Sequence, residues 1–199
     1  MNLAPALQYV DAVLDLEYSA SEPYSSFVYD SPQHARDIAR FLLTQGIGEV
    51  ANASVALADD GAVLGMIGML DGAELRSART AAAVALVRGR KIDPHGTVRD
   101  RLRLAADTMI AVEPTDFYLS RIAVSAGSRR AGVARRLMRK LEDAARQRGS
   151  ARIVLEVSPV HVAACAMYAS CGYRVFAEAE TIDPSSGREL TYQHLERLL

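Results

Sequence analysis

The sequence predicts a mixed α/β fold, a mostly antiparallel sheet with one central parallel strand pair and helices on its flanks. Three observations carry that reading. FYLSRIAVS (117–125), a helical pattern over 131–148 and ARIVLEVS (151–158) follow one another as strand, helix and strand. That order joins two parallel strands through a helical crossover. In ASVALADDGAVLGMIGML, two β-prone runs flank Asp59-Asp60-Gly61, a turn that needs the positive φ Asp and Gly tolerate, so a hairpin is expected. YRVFAEAET and RELTYQHLERLL, joined by Asp183-Pro184-Ser185-Ser186-Gly187, make a second hairpin.

The remaining elements follow in order. Leu3, Leu7, Val10 and Leu14 recur at helical spacing over residues 3–17. SASEPYSSFVYDS (19–31) reads as a polar loop dotted with aromatics. Ser31-Pro32 is an N-cap followed by proline at the first helical position. The helix it opens carries Ala35, Ile38, Ala39, Leu42 and Leu43 on one face and should stop at Gly46. After the first hairpin, residues 74–112 are helical in composition, with a turn at Asp93-Pro94-His95-Gly96 separating helices near 74–90 and 97–111. Their Arg76, Arg79, Arg88, Arg90, Lys91, Arg99, Arg101 and Arg103 suit solvated faces. The helix over 131–148 places Ala134, Leu137, Met138, Leu141, Ala144 and Ala145 on one stripe and ends at Gly149. VHVAACAMYAS (160–170) is a short helix before Gly172.

Composition narrows the function. The 199 residues, half of them hydrophobic and 24% charged, suit one globular domain (1–199) with a helical insertion at about 74–112. A net charge of −1 argues against a nucleic-acid binder. No apolar run is long enough to span a membrane, and MNLAPALQYVDAVLDLEY lacks the basic start of a secretory signal. Cys165 and Cys171 form neither a disulfide framework nor a zinc pattern, which fits a reducing, cytoplasmic setting. His34, His95 and His194 are scattered, and no metal site is expected.

The join at 128–138, SRRAGVARRLM, turns a strand into a helix. A helix start leaves backbone N–H groups unpaired and carries partial positive charge, so it can hold phosphate where the backbone is approachable. Gly132 and Ala134 remove bulk there, and Arg129 and Arg130 add charged donors. A glycine-containing turn with surface arginines is the plainer alternative. Downstream, Glu156 on the next strand and Tyr168 on the following helix can meet in one cleft.

These residues resemble the GCN5-related N-acetyltransferase (GNAT) superfamily. Its acetyl-CoA motif, Arg/Gln-x-x-Gly-x-Gly/Ala, is matched by Arg129-Arg130-Ala131-Gly132-Val133-Ala134. Its second motif is matched by Val157, Ala164, Met167-Tyr168 and Cys171-Gly172-Tyr173, and the Glu–Tyr spacing is similar to the RimI-like branch, which acetylates protein N-termini. The resemblance implies a parallel pair splayed around acetyl-CoA. It implies cofactor contacts from Ile122, Ala123 and Val124 on the strand, from residues 129–134 with Arg135, and from His161, Ala164 and Tyr168. His161 stands where the family often has asparagine, and Leu119 where some members carry a catalytic glutamate. No first strand is evident before the N-terminal helix, which leaves a late start, an open sheet edge or a partner-filled edge as alternatives.

The implied reaction is direct acetyl transfer from acetyl-CoA to a primary amine. Glu156 is the candidate base, against a solvent-facing role. A backbone N–H near Ile122–Val124 would stabilise the oxyanion, and Tyr168 would protonate the departing sulfur. Tyr24, Phe27 and Tyr29 line the acceptor entrance or pack a loop. The inserted helices would lid the pocket, favouring a small-molecule amine over a peptide N-terminus, and their arginines would favour an acidic or phosphorylated acceptor. A non-catalytic acyl-CoA-binding module and transfer of another acyl group are the alternatives. Homodimers are frequent in the resembled family.

Overall fold

The computed structural model describes residues 1–88 and 97–199. The turn expected at 93–96, with Arg90, Lys91 and His95, lies outside the described residues. One sheet holds β1 (Asn2–Pro5), β2 (Ala53–Leu57), β3 (Val63–Asp71), β4 (Phe117–Val124), β5 (Arg152–Val157), β6 (Arg174–Ile182) and β7 (Glu189–Leu198). Their order is β1-β2-β3-β4-β5-β7-β6. Among the described residues, only β4 and β5 run parallel; the other pairings are antiparallel. The helix α7 (Val133–Gln147) makes that one crossover.

The N-terminus departs from the sequence expectation. Leu3 belongs to β1, which pairs with β2 in the register Leu3↔Ala56. A 3-10 turn over Ala6–Tyr9 then leads into α1 (Val10–Ser21). Helical spacing in so short an apolar run is ambiguous, and ladder bonds to an existing sheet edge decide it. Pro5 is tolerated because β1 is an edge strand. The first strand of the resembled fold is therefore present. The loop at 19–31 likewise contains a helical turn, α2 (Tyr24–Val28).

Ser31 caps α3 (Pro32–Thr44), its Oγ accepting from the His34 N–H at 3.1 Å, and Gly46 follows at φ +67°. A short α4 (Gly48–Ala51) leads into the hairpin. The insertion is α5 (Gly72–Arg88) and α6 (Thr97–Ala106), shorter than expected at its end. The chain leaves the helix there because its backbone finds other partners. The Thr108 carbonyl accepts from His194, and the Ile110 N–H donates to Glu156. The last helix is α8 (Val162–Ser170).

Both sheet faces are covered. Period-two alternation puts Val55, Met66 and Ala123 on one face, under Val13 and Leu16 of α1 and Leu43 of α3. Ala56, Ile67, Leu119, Ile153 and Leu155 face the α7 stripe of Leu137, Met138, Leu141 and Ala145. Leu137 and Leu141 are fully buried, each contributing roughly 1.5–3 kcal/mol by burial.

The feature that positions the site is the β4–β5 junction. Only Phe117↔Ile153 and Tyr118↔Val154 pair. Asp116, just before β4, takes two hydrogen bonds from Arg152 at the start of β5, at 2.9 and 2.6 Å. Beyond this closed end the strands part. β4 stays on β3 as far as Val124, and β5 stays on β7 through Val157↔Gln193. Within β4, Ser120 is an extra residue between the pairs Gly68↔Arg121 and Met69↔Leu119, a bulge.

Gly72 pins the insertion to the sheet. Its N–H donates to the Asp116 carbonyl at 3.2 Å, and a Cβ there would stand 2.0 Å from the Glu113 carbonyl oxygen. Gly72→Ala should therefore destabilise the fold by about 1–3 kcal/mol, read as a lower urea midpoint. An unchanged midpoint would show that this approach is not close in solution.

Candidate active site

Where β4 and β5 part, a cavity of about 800 Å³ opens. Leu119 through Val124 all border it, since the β5-side edge of β4 is bare there. The Ser125 N–H donates toward β3, to Leu64 at 2.9 Å. Alternation along the strand then turns the Val124 and Ile122 N–H groups toward the gap.

At one end of the gap lies the strand-to-helix turn. Arg130 (φ +62°) and Gly132 (φ +73°) both adopt left-handed backbone. Nothing lies within 4 Å of a Cβ built on Gly132, so the need for glycine there is conformational rather than steric. The Arg136 N–H returns to the Gly132 carbonyl at 3.1 Å. The N–H groups of Val133, Ala134 and Arg135 precede that first helical bond and have no acceptor within the helix. Val133 is buried in the core and fixes the helix start, while Arg129, Arg130, Ala131 and Gly132 are exposed. The arrangement is a backbone anion cradle with arginines beside it.

Across the gap, Glu156 on β5 has a side chain only 5% exposed. It accepts from the Ile110 N–H at 3.0 Å and lies 3.9 Å from Arg79. Burial raises its pKa above the usual carboxylate value, while Arg79, a Tyr118 hydrogen bond and the Ile110 N–H hold the rise back. Tyr168 on α8 is buried on the same cavity, and burial, then the neighbouring Cys165 and Cys171, push its phenol well up, so it stays protonated. His161, capping α8, donates from Nε2 in a short hydrogen bond to the Glu22 carbonyl.

The cavity brings together Ile122, Ala123, Val124, Arg129, Ala134, Glu156, His161, Ala164, Tyr168, Tyr24 and Tyr29. It does not include Phe27, which is buried with Ile38, Val98 and Leu190. Arg130, Ala131, Gly132, Val133 and Arg135 also stand off its wall, and Arg135 donates to Ser170 Oγ at 3.4 Å. Cys165 and Cys171 are half-buried against the α7 core.

Sequence reasoning missed a charged network on the cavity wall. Arg79 of α5 bonds Glu49 Oε1 at 2.8 Å and the Tyr118 hydroxyl at 3.2 Å. Arg121 of β4 bonds Glu17 Oε1 at 3.0 Å and lies 4.0 Å from Glu49. The available signal was Arg121 itself, a guanidinium inside the apolar strand FYLSRIAVS. The insertion's described arginines do not make the cavity cationic. Arg76, Arg88, Arg99 and Arg103 are exposed, Arg101 pairs with Asp30 and Asp183, and Arg79 is engaged by glutamates.

Comparison with known proteins places these features in a wider group. The acetyltransferase (GNAT) family matches residues 14–173. A 70-residue stretch is 40% identical to probable N-acetyltransferase 14 of Xenopus tropicalis, covering 33% of this chain. The match spans only about a third (34%) of that curated relative. An N-acetyltransferase from Staphylococcus aureus Mu50 shares the fold at a TM-score of 0.70 and 16% identity, over 99% of this chain and 100% of that one. A phosphinothricin acetyltransferase from Sinorhizobium meliloti, solved with AcCoA, does so at 0.59 and 16% identity, over 100% and 88%. Among the described residues, no helix is long and apolar enough to cross a membrane.

Arg79→Met should expose the dependence of Glu156 on its partner. Glu156 binds its proton more tightly folded than unfolded, so its contribution to stability falls as pH rises above 4.5. Losing the guanidinium pushes that pKa further up. The variant should lose stability near the lower end of the roughly 3–5 kcal/mol typical of broken buried pairs, and more at pH ~8 than at pH ~5. Equal losses at both pH values would remove Glu156 from the explanation.

Proposed function

The chain belongs to the acetyltransferase (GNAT) family, and we propose that it moves an acetyl group from acetyl-CoA to the primary amine of a small molecule. The observation that carries this reading is the parting of β4 from β5. It leaves one continuous cavity with bare strand N–H groups in the middle, an anion cradle at one end and a buried carboxylate and phenol on the walls.

The residues present fit acetyl-CoA. The N–H groups of Val133, Ala134 and Arg135, with Arg129 beside them, suit a pyrophosphate. The gap between the strands suits an extended amide-bearing arm, which the bare edge of β4 would hold by strand-like hydrogen bonds. When bound, acetyl-CoA supplies an acetyl thioester whose carbonyl carbon the amine attacks. The Ile122 and Val124 N–H groups would stabilise negative charge growing on the carbonyl oxygen. Glu156, with its raised pKa, takes the proton the amine must lose, directly or through water. Tyr168 holds a proton at its hydroxyl for the sulfur as it leaves. His161 is already committed to the Glu22 carbonyl, so its role is to fix the wall between α8 and the acceptor side.

The small-molecule preference rests on the insertion. Ala82 and Leu86 of α5 and Leu102 and Ala106 of α6 form part of the cavity wall, which narrows access for a polypeptide.

Two variants test the assignment. Tyr168→Phe should lower kcat by about 100-fold or more while leaving acetyl-CoA affinity unchanged in calorimetry. An unchanged kcat removes Tyr168 as the acid. With the wild type, kcat/KM should rise with pH through a limb above the usual carboxylate range, and Glu156→Gln should abolish that limb. Its persistence in the variant assigns the base elsewhere.

A further inference from the structure

The wall opposite Glu156 is richer in acceptors than the reaction alone requires. Glu17, Glu22, Glu49 and Glu156 all border the cavity, as do Arg79 and Arg121. Arg129 also reaches it, but from the exposed turn at the anion cradle. Arg79 is shared between Glu49 and Glu156, and Arg121 between Glu17 and Glu49. Glu22 stands outside this network, with Oε2 taking the Ser26 hydroxyl at 2.6 Å.

Among the described residues, three oxygens of side chains that line this cavity are buried without a hydrogen-bond partner: Glu17 Oε2, Glu22 Oε1 and Ser120 Oγ. Ser120 is 7% exposed and sits at the β4 bulge, which brings it and Arg121 to the same cavity. A carboxylate oxygen can only accept, so each of the two glutamate oxygens calls for a donor. Leaving such an atom buried and unmet costs about 1–3 kcal/mol, more when charged. An alkylammonium brings three N–H donors and the missing positive charge. A carboxylate or phosphate would bring neither.

Glu156 lies on β5, whereas Glu17 and Glu22 lie on and just after α1. The acidic groups thus belong to separate walls. Leu42, Val50 and Leu86 add apolar surface on the same cavity, suited to a methylene spacer. Tyr24 and Tyr192 add aromatic faces that attract a cation.

We infer that the acceptor is a diamine or polyamine, with one nitrogen acetylated near Glu156 and a second, still protonated, held by Glu17 and Glu22. The inference rests on the proposed function for the reacting nitrogen only; binding of the second cation needs no chemistry. Atoms balance as in any amine acetylation. The N–C bond forms and the C–S bond breaks; the ammonium loses one proton to Glu156 before attack, Tyr168 protonates the departing sulfur, and the second proton shed by the acylated nitrogen returns to the Tyr168 oxygen.

The test uses the full chain and matched probes, putrescine against butylamine and cadaverine against pentylamine. Calorimetric affinities are measured with and without CoA, and kcat/KM with acetyl-CoA. Each diamine should exceed its monoamine at least about tenfold in affinity and in kcat/KM. Glu17→Gln should shrink that ratio, and so should Glu22→Gln, which lies outside the Arg121 network and keeps the test open if the first variant misfolds. Equal affinity of the wild type for diamines and monoamines overturns the inference, as does a ratio unmoved by both variants. If no amine is acetylated yet diamines bind selectively, the transferase reading fails and the dication site stands.

Discussion

The architecture depends on two strands that are tied together at one end only. Asp116 and Arg152 lock the start of β4 to the start of β5, and two residue pairs follow before the strands separate. Parallel strands that part leave backbone donors bare, and bare donors inside a protein must meet something. Here they face a cavity rather than another strand, and every group assigned to the reaction borders it or caps the helix at its end. α7 makes this affordable by packing its apolar stripe across both strands, so the sheet stays closed beneath the gap.

The charged network is the second constraint. Arg79 and Arg121 come from the insertion and from the central strand, and their glutamates come from α1, α4 and β5. Ion pairs of this kind contribute little net stability, because desolvation offsets most of the attraction. Their effect is orientation. They hold elements far apart in sequence in one register around the cavity, and they keep Glu156 within reach of a positive charge without neutralising its basicity.

Much of this was legible in the sequence, for local reasons. The hairpins announce themselves by Asp-Gly and Pro-Ser-Ser-Gly turns, the capped α3 by Ser31-Pro32, and the cradle by a glycine at a strand-to-helix join. Other features were hidden because they are decided by distant partners. β1 exists because β2 offers an edge, and α6 stops early because Thr108 and Ile110 are claimed by His194 and Glu156. The Glu17–Arg121 pair joins residues 104 positions apart, a separation at which spacing carries no signal. Phe27 shows the reverse error, an aromatic in a polar-looking loop that turns out to belong to a core.

The insertion leaves the sheet at Gly72 and returns at Asp116, and those two residues are hydrogen-bonded to each other. A segment whose ends already touch can be lengthened, shortened or exchanged with little strain on the sheet that carries it. The half of the cavity proposed for the thioester is built from β4, α7, β5 and α8, none of which passes through the insertion. Selection could therefore reshape the roof over the acceptor by exchanging this one segment, as long as the contacts of Arg79 and Ile110 to Glu156 are kept.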